Sequence, residues 1–309
     1  MREHAVFTNR WLPWVFLAPS LAVLTVFLYY PLWQAVVLSF HRANLLLGTR
    51  RFVGWGNYEA IFTGPLSARY HQVMVQSFAF SMLVVVIGLS ISVVLATLAA
   101  QPLRGARVYR LLLIWPFALS PAVAATIMLF LFNPEIGGVN QVLNALFGIK
   151  PRWLDTPQLA FALVVVTAVW KNLGYNVVFY LAALQNVPKE LSEAAAIDGA
   201  SGFQRFFRIT LPMLSPMTFF LVFTNLTYSF FDSYGLIDVL TRGGPIGPAP
   251  FDAVGITRTM VYQVANDGFT GSGNTGLAAA FGNIVLAIVA LITFAQFRFG
   301  GRRVQYGDH

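Results

Sequence analysis

The sequence contains no cysteine and few charged residues, and each absence excludes a class of protein. Without cysteine the chain forms no disulfide and no thiolate metal site. Charged residues occupy only 10% of the 309 positions, whereas they make up about a quarter of a typical soluble domain. Apolar residues occupy 57%, so the composition indicates an integral membrane protein.

The motifs of common enzymes are absent too. There is no GxxxxGK[ST] phosphate loop, which excludes an ATP site of that kind on this chain. HExxH and GxSxG are also missing. The four histidines are scattered through terminal and loop segments, at His4, His41, His71 and His309. We therefore expect no catalytic residue and no metal site.

Six apolar runs are long enough to cross a membrane, since a hydrocarbon core of about 30 Å needs roughly 20 helical residues. They run from Trp11 to Phe40, Val73 to Ala100, Val108 to Phe132, Leu159 to Leu184, Met213 to Phe231 and Leu277 to Phe297. The first is too long for a signal peptide and continues past Pro31, so we interpret it as a retained span. The sequence predicts an all-α polytopic membrane protein with six transmembrane helices, forming a single domain over residues 1–309.

The net charge of +8 is interpreted as topology and not as a nucleic-acid site, because the basic residues cluster between apolar runs. The short segments on one side carry Arg2, Arg10, Arg104, Arg107, Arg110, Lys189, Arg205, Arg208, Arg298, Arg302 and Arg303. The longer loops opposite carry Arg42, Arg50, Arg51, Arg69, Lys150, Arg152, Arg242 and Arg258. The higher density of basic residues on the first side predicts that both termini are cytoplasmic. We expect membrane lipid as a partner and no nucleic acid.

Residues 187–212, VPKELSEAAAIDGASGFQRFFRITLP, form a polar and basic insert between two predicted spans. The pattern predicts one short helix up to Ile197, a break at Asp198-Gly199, and a second helix capped by Ser201 and ended by Leu211-Pro212. We expect the phenylalanines of the second helix to be buried against the bundle; they are Phe203, Phe206 and Phe207. On pattern alone, a helix pair resting on lipid head groups fits equally well.

The spacing within this insert is more specific than its helical pattern. It reads EAA-x3-G-x9-I-x-LP and is formed by Glu193, Ala194, Ala195, Gly199, Ile209, Leu211 and Pro212. This resembles the EAA signature of bacterial ABC-importer permeases, which have the type I (MetI-like) fold. The resemblance implies that 187–212 is a cytoplasmic coupling loop that docks into a groove of an ATP-binding subunit. It assigns ATPase coupling to those residues, together with Ile197 and Asp198.

The resemblance extends over nearly the whole chain, through WLPWVFLAPSL, GWGNYEAIF, VWKNLGYN and LTRGGP. Within the carbohydrate-type permeases, the chain is most similar to the first permease subunits of glycerol-3-phosphate importers, the ugp type. Unlike the maltose permease, it has no large periplasmic insertion and no pair of extra N-terminal spans. The resemblance implies import of glycerol 3-phosphate or glycerophosphodiesters across the bacterial inner membrane, with neutral oligosaccharides such as maltose or trehalose as the alternative. It further implies a second homologous permease, two ATP-binding subunits that hold ATP and Mg²⁺, and an extracytoplasmic substrate-binding protein.

Polar residues interrupt the fourth span in the stretch VWKNLGYN. An ionisable residue at membrane depth costs at least about 2.5–3.5 kcal/mol, so Lys171 is a natural candidate for a substrate pathway. Asn172, Tyr175 and Asn176 would line the same pathway, and Gly174 would permit close helix packing. The alternative for Lys171 is a side chain that snorkels to the membrane surface.

The fifth span carries polar residues at helical spacing, which we expect to face inward: Asn225, Tyr228, Ser229 and Asp232. Resemblance to the maltose-type permease places its sugar-contacting residues around Lys171, Gly174, Tyr175, Asn225, Tyr228 and Ser229. The alternative is that these groups only join helices through hydrogen bonds. Lys171 favours an anionic cargo weakly, and pairing with Asp232 would remove that argument.

Two other classes of membrane protein predict different sequence features. An ion-coupled secondary transporter should show inverted internal repeats, and no second copy of the WKNLGYN polarity occurs in the first half. A structural scaffold would need neither the polar residues around Lys171 in the fourth span nor the EAA spacing. The importer interpretation accounts for both features.

Overall fold

The computed structural model describes residues 11–44, 47–101 and 105–300. Arg2, Arg10, Arg104, Arg302, Arg303, His4 and His309, and the side chain of Arg107, lie outside the described part. The helices are α1 Leu12–Ser39, α2 Gly56–Phe62, α3 Ser67–Ala99, α4 Ala106–Ile114, α5 Pro121–Leu131, α6 Gly138–Phe147, α7 Pro157–Leu184, α8 Lys189–Ile197, α9 Gly202–Met213, α10 Ser215–Phe231, α11 Tyr234–Leu240, α12 Met260–Ala265 and α13 Thr275–Ala295. Strands β1 His41–Asn44 and β2 Thr49–Phe52 form an antiparallel hairpin.

Within the described residues, four helices are long and apolar enough to cross a membrane, and up to six spans result if each of two bent helix pairs counts as one. The four are α1, α3, α7 and α13, the last extended by a π-helical turn, Gln296–Gly300. They correspond to the first, second, fourth and sixth predicted runs. The fold class predicted from the sequence is therefore confirmed, with a different geometry in the remaining two spans.

The third predicted span is not one straight helix. Its two halves, Val108–Ala118 and Pro121–Leu131, meet at 107°. Pro116 lies in a 3₁₀ turn, Trp115–Ala118, and Leu119 is extended before Pro121. Proline lacks the N–H that would continue an α-helix and biases the residues before it toward extended backbone, so the two prolines account for the bend.

The fifth predicted span is also part of a bent pair. Helix α9 does not end at Pro212 as expected but continues to Met213 and meets α10 at 68°. Proline near a helix start loses no hydrogen bond. Pro212 occupies one of the first two positions of the α-helical segment Leu211–Met213 that ends α9, and Pro216 one of the first two positions of α10. The predicted coupling loop therefore leads directly into the fifth span.

Helix α1 passes through Pro31 without a break. A π-helical turn over Thr25–Tyr29 precedes the proline, and the wider turn accommodates its ring and missing N–H. The most apolar window of α1 has no residue buried within the described chain. Its surface is thus available to lipid or to another subunit.

Among the described residues, one compact unit comprises 11–44, 47–61 and 264–284. Asn57 of α2 joins α1 to the hairpin, because its Nδ2 donates to the carbonyls of Ser39 at 2.7 Å and His41 at 2.9 Å. The hydroxyl of Thr275, where α13 begins, donates to the carbonyl of Ala43 at 3.2 Å. The hairpin is therefore fixed by side chains from both of its neighbouring segments.

The other unit comprises the described residues 62–101, 105–263 and 285–300, and α3 lies along α7 at its centre. One buried cluster contains Phe80, Val84, Ala125, Met128, Leu163, Val164, Val165, Ala168, Val169, Leu236, Ile237, Leu240 and Tyr262. A second contains Val85, Leu89, Val93, Ala96, Val177, Tyr180, Leu214 and Leu221. These clusters fix α10 and α11 against the α3–α7 pair, and α10 and α7 carry the predicted pathway residues.

The loop after α11 is ordered by polar side chains of α3. Gln72 Nε2 donates to the Val254 carbonyl at 2.8 Å, and its Oε1 accepts from the Ala253 and Val254 amides at 2.9 and 3.2 Å. Ser77 Oγ accepts from the Met260 amide at 2.7 Å. This segment, which is rich in glycine and proline, is therefore held at specific points.

Candidate functional site

The first helix of the predicted coupling loop, α8, ends in a glycine-dependent turn. The Ala200 amide donates to the Ala195 carbonyl at 2.9 Å, and the Gly199 amide donates to the Ala196 carbonyl at 3.1 Å. Gly199 has φ +82°, the left-handed conformation that this helix-terminating motif requires. The sharp break predicted at Asp198-Gly199 is confirmed and has a backbone cause.

The second helix, α9, begins with a capping box. Ser201 Oγ accepts from the Gln204 amide at 3.3 Å, while Gln204 Oε1 accepts from the Ser201 amide at 2.8 Å. Arg205 Nη1 donates to the carbonyl and hydroxyl of Ser192, both at 3.4 Å. The cap fixes where α9 starts, and Arg205 fixes α9 against α8.

The expectation of three buried phenylalanines was wrong for two of them. Phe203 is 73% exposed and Phe207 is 47% exposed, whereas Phe206 packs against the second apolar cluster. Residues 203 and 207 are four apart on a helix and therefore share its outer face. Of these three phenylalanines, Phe206 is the one that packs against the bundle.

The predicted coupling residues lie on the surface of this loop. The exposed ones are Glu193, Ala194, Ile197, Asp198, Gly199 and Pro212, and the half-buried ones are Ala195, Ile209 and Leu211. Ile197 is 88% exposed at the end of α8. The next residue, Asp198, lines a concavity of about 480 Å³ together with Arg205 and Arg208. An exposed apolar side chain next to a concavity with charged residues is suited to docking another protein subunit.

In the predicted pathway, the ammonium of Lys171 faces the carboxylate of Asp232, with 3.6 Å between Nζ and Oδ2. Lys171 lies midway along α7 and its side chain is 8% exposed, whereas the Asp232 side chain, directly after α10, is 52% exposed. Nζ also lies 5.7 Å from the centroid of the Phe117 ring. The pairing is thus present, and it removes the argument that Lys171 by itself favours an anionic cargo.

An open concavity of about 460 Å³ lies beside this ion pair. Its lining contains Phe117, Lys171, Asn172, Thr227, Tyr228, Phe231 and Asp232. Ser229 borders a narrower gap of about 20 Å³ that also touches Lys171 and Asp232. Aromatic faces, an amide, hydroxyls and an ion pair together provide contacts for a small hydroxylated molecule.

The two predicted asparagines of neighbouring helices bind each other. Asn225 Nδ2 donates to Asn176 Oδ1 at 2.7 Å, and Asn176 Nδ2 donates to Asn225 Oδ1 at 3.2 Å. Their exposed fractions are 2% and 0%. The structure therefore places this pair in an interhelical hydrogen bond between α7 and α10, the alternative left open by the sequence.

Gly174 and Tyr175 shape the site from the α7 side. A Cβ at Gly174 would lie 2.7 Å from both Cα and O of Ile114, so the backbones of α4 and α7 touch there. The ring of Tyr175 lies 5.2 Å from that of Phe117 and 5.8 Å from that of Tyr228, between centroids. Gly174 permits the close packing expected of it, and Tyr175 supports two rings of the lining.

Sequence reasoning missed Phe117, Thr227 and Phe231 as lining residues. Thr227 and Phe231 lie four residues apart on α10, next to Tyr228, which was predicted. Phe117 lies in the 3₁₀ turn between two prolines. Its proline neighbours were the available signal that this segment departs from a straight span.

The chain is similar in sequence and in fold to known membrane transport proteins. Residues 88–305 match the family described as "Binding-protein-dependent transport system inner membrane component". The chain is 40% identical over 304 residues to the sn-glycerol-3-phosphate transport system permease protein UgpA of Brucella abortus, covering 98% of this chain and 99% of that protein. It is 40% identical over 305 residues to UgpA of Rhizobium meliloti, covering 99% and 100%. A bacterial alginate ABC transporter, solved with an alginate pentasaccharide-bound periplasmic protein, has a similar fold, with TM-score 0.80, 19% identity and 96% of each chain covered.

Proposed function

Because this chain belongs to the family of binding-protein-dependent transport system inner membrane components, we propose that it is the permease subunit through which an ATP-driven importer moves glycerol 3-phosphate or a glycerophosphodiester. One observation carries the cargo assignment: the chain aligns over 98% or more of its length, at 40% identity, with permeases named for sn-glycerol-3-phosphate. The chain acts as one permease domain over residues 1–309, and residues 187–212 are its cytoplasmic coupling loop.

The energy for transport comes from other polypeptides, because the sequence has no phosphate loop. Two partner subunits bind ATP and Mg²⁺ and hydrolyse the nucleotide, and a second, related permease completes the passage. An extracytoplasmic binding protein delivers the cargo. ATP-driven closure of the partner subunits shifts a bistable helix bundle between outward-open and inward-open states, with no covalent chemistry on this chain.

The coupling loop transmits that closure to the bundle. Ile197 and the concavity beside it form the docking surface, and α9 runs through Pro212 into α10. A push on the loop therefore displaces α10, which carries Tyr228 and, at its end, Asp232. With the coupling loop on the cytoplasmic side, both termini are also cytoplasmic. The concavity beside Lys171 faces the passage.

A neutral oligosaccharide is the second candidate cargo. Lys171 is already balanced by Asp232, and the concavity presents the rings of Phe117, Tyr228 and Phe231. Aromatic faces and amides are the groups that bind sugars without a charge. The test of cargo must therefore include both chemical classes.

The cargo test is substrate-stimulated ATP hydrolysis by the complete complex in proteoliposomes, with its binding protein loaded with glycerol 3-phosphate, glycerophosphocholine, maltose or trehalose. We expect stimulation by the two phosphoesters. Stimulation by the disaccharides alone would contradict the cargo assignment and leave the importer assignment in place.

The coupling test uses Ile197→Asp, because this side chain is 88% exposed and its replacement leaves the fold intact. The variant should no longer co-purify with the ATP-binding subunit, since a carboxylate would be buried unpaired in the docked complex. Ile136→Asp is the matched control, an isoleucine 67% exposed in the turn after α5, and it should co-purify normally. Normal assembly and ATP hydrolysis with Ile197→Asp would contradict the docking assignment.

A further inference from the structure

The ion pair between Lys171 and Asp232 is loose. Its 3.6 Å separation exceeds the roughly 2.7–2.9 Å of a charge-assisted hydrogen bond. The Arg152–Asp155 pair in the same chain meets that standard at 2.7 Å although both of its side chains are mostly exposed. Asp232 therefore compensates the charge of Lys171 without being fixed by a direct hydrogen bond to it.

The two side chains of the ion pair differ in burial. Lys171 is enclosed at the middle of α7, whereas half of the Asp232 side chain is exposed. Asp232 is also the residue after the last turn of α10, and its amide donates to the Tyr228 carbonyl at 2.8 Å. A helix C-terminus carries partial negative charge, which disfavours a carboxylate. Asp232 thus gains little from its own helix and has open space into which to turn.

Lys171 attracts an anion to this position. Its side chain is only 8% exposed, so water compensates only part of the charge of its ammonium when Asp232 turns away. The ring of Phe117, 5.7 Å away, supplies only a weak cation–π contact. Any group that displaces Asp232 must therefore bring negative charge of its own.

We infer that Asp232 is a place-holding counter-ion, which the phosphate group of the cargo displaces from Lys171 during passage. A phosphate monoester has the charge and the acceptor oxygens to take over the ammonium. A neutral sugar does not, so the pair selects for phosphoesters within the passage itself. This inference rests on the proposed function and explains how a lysine that is neutralised at rest still serves an anionic cargo.

The test is uptake of radiolabelled glycerol 3-phosphate into proteoliposomes holding the complete complex and saturating loaded binding protein. Lys171→Met should lower the uptake rate about tenfold or more, because the phosphate loses its charge-assisted contact. Asp232→Asn should retain more uptake than Lys171→Met, because the ammonium that binds the phosphate is still present. The double variant should be as slow as Lys171→Met.

A purely structural ion pair gives the opposite pattern. Both single variants would then lose uptake and the double variant, which restores electroneutrality, would recover it; that result overturns the inference. If Asp232→Asn fails to assemble, Asp232→Glu keeps the carboxylate and should retain more uptake than Lys171→Met, and failure of both to assemble also overturns the inference. Asp155→Asn, which breaks the exposed pair, is the control and should match wild type.

Inhibition of uptake by inorganic phosphate is a further measurement, which would not change if the ion pair were purely structural. In Asp232→Asn the anion no longer competes with a carboxylate, so phosphate should inhibit uptake at about tenfold lower concentration than in wild type. Unchanged inhibition would contradict the exchange. A wild-type complex that imports maltose and not glycerol 3-phosphate would refute the proposed function, whereas normal phosphoester import with recovery in the double variant would refute only the exchange.

Discussion

Substitution of Gly174 by alanine tests whether the backbones of α4 and α7 touch beside the site. The added Cβ would lie 2.7 Å from Ile114 Cα and O and 2.8 Å from the Leu113 carbonyl. Ordinary contact begins at 3.4 Å, so α4 must shift away from the methyl group. Because backbone atoms cannot rotate aside, we expect an overpacking cost of about 1–3 kcal/mol.

Gly88 is the matched control for this prediction. It lies within the membrane-spanning helix α3, and its added Cβ would meet only Asn176 Nδ2, at 3.9 Å. Both substitutions gain about 1 kcal/mol of helix propensity, so their difference isolates the contact. The midpoint of thermal unfolding in detergent should be roughly 3–10 °C lower for Gly174→Ala than for Gly88→Ala. Equal midpoints would refute the close approach of α4 and α7.

Three further substitutions test the polar contacts that hold the site and its loops. Asn176→Leu should cost about 1–3 kcal/mol, because Asn225 Oδ1 loses its donor while Asn225 Nδ2 keeps its bond to the Leu221 carbonyl. Replacing both asparagines by leucine should restore most of the thermal stability, and no recovery would argue against the reciprocal pair. Gln72→Ala should speed hydrogen exchange at the amides of residues 253 and 254, and unchanged exchange would show that other contacts order this loop. Ser201→Ala should lower helix stability at α9 by about 1 kcal/mol, seen as faster exchange over residues 202–205, with residues 190–197 as the internal reference.

Local features of the fold were predictable from the sequence because their causes are local. Apolar runs of sufficient length predicted the four long helices. The Gly199 break and the Ser201 cap were predictable because each depends on a backbone turn of a few residues. The bend between α4 and α5 was not, although Pro116 and Pro121 marked it, because proline is tolerated within membrane helices when neighbouring groups satisfy the backbone.

The contacts between helices could not be predicted from one sequence. Periodicity indicated that Asn176 and Asn225 each lie on a polar face, but it does not say which faces meet. The same holds for Lys171 and Asp232, whose pairing depends on the packing of α10 against α7. The phenylalanines of α9 show the converse error, since an apolar stripe does not reveal whether its own bundle or another surface covers it.

Accumulation of glycerol 3-phosphate in proteoliposomes, with ATP on the side of the ATP-binding subunits and all ion gradients collapsed by ionophores, tests the central claim most directly. The account predicts that label accumulates against its gradient only when ATP and loaded binding protein are both present, and that Ile197→Asp abolishes it. Accumulation driven by a proton or sodium gradient without ATP would contradict the assignment of this chain as an importer permease.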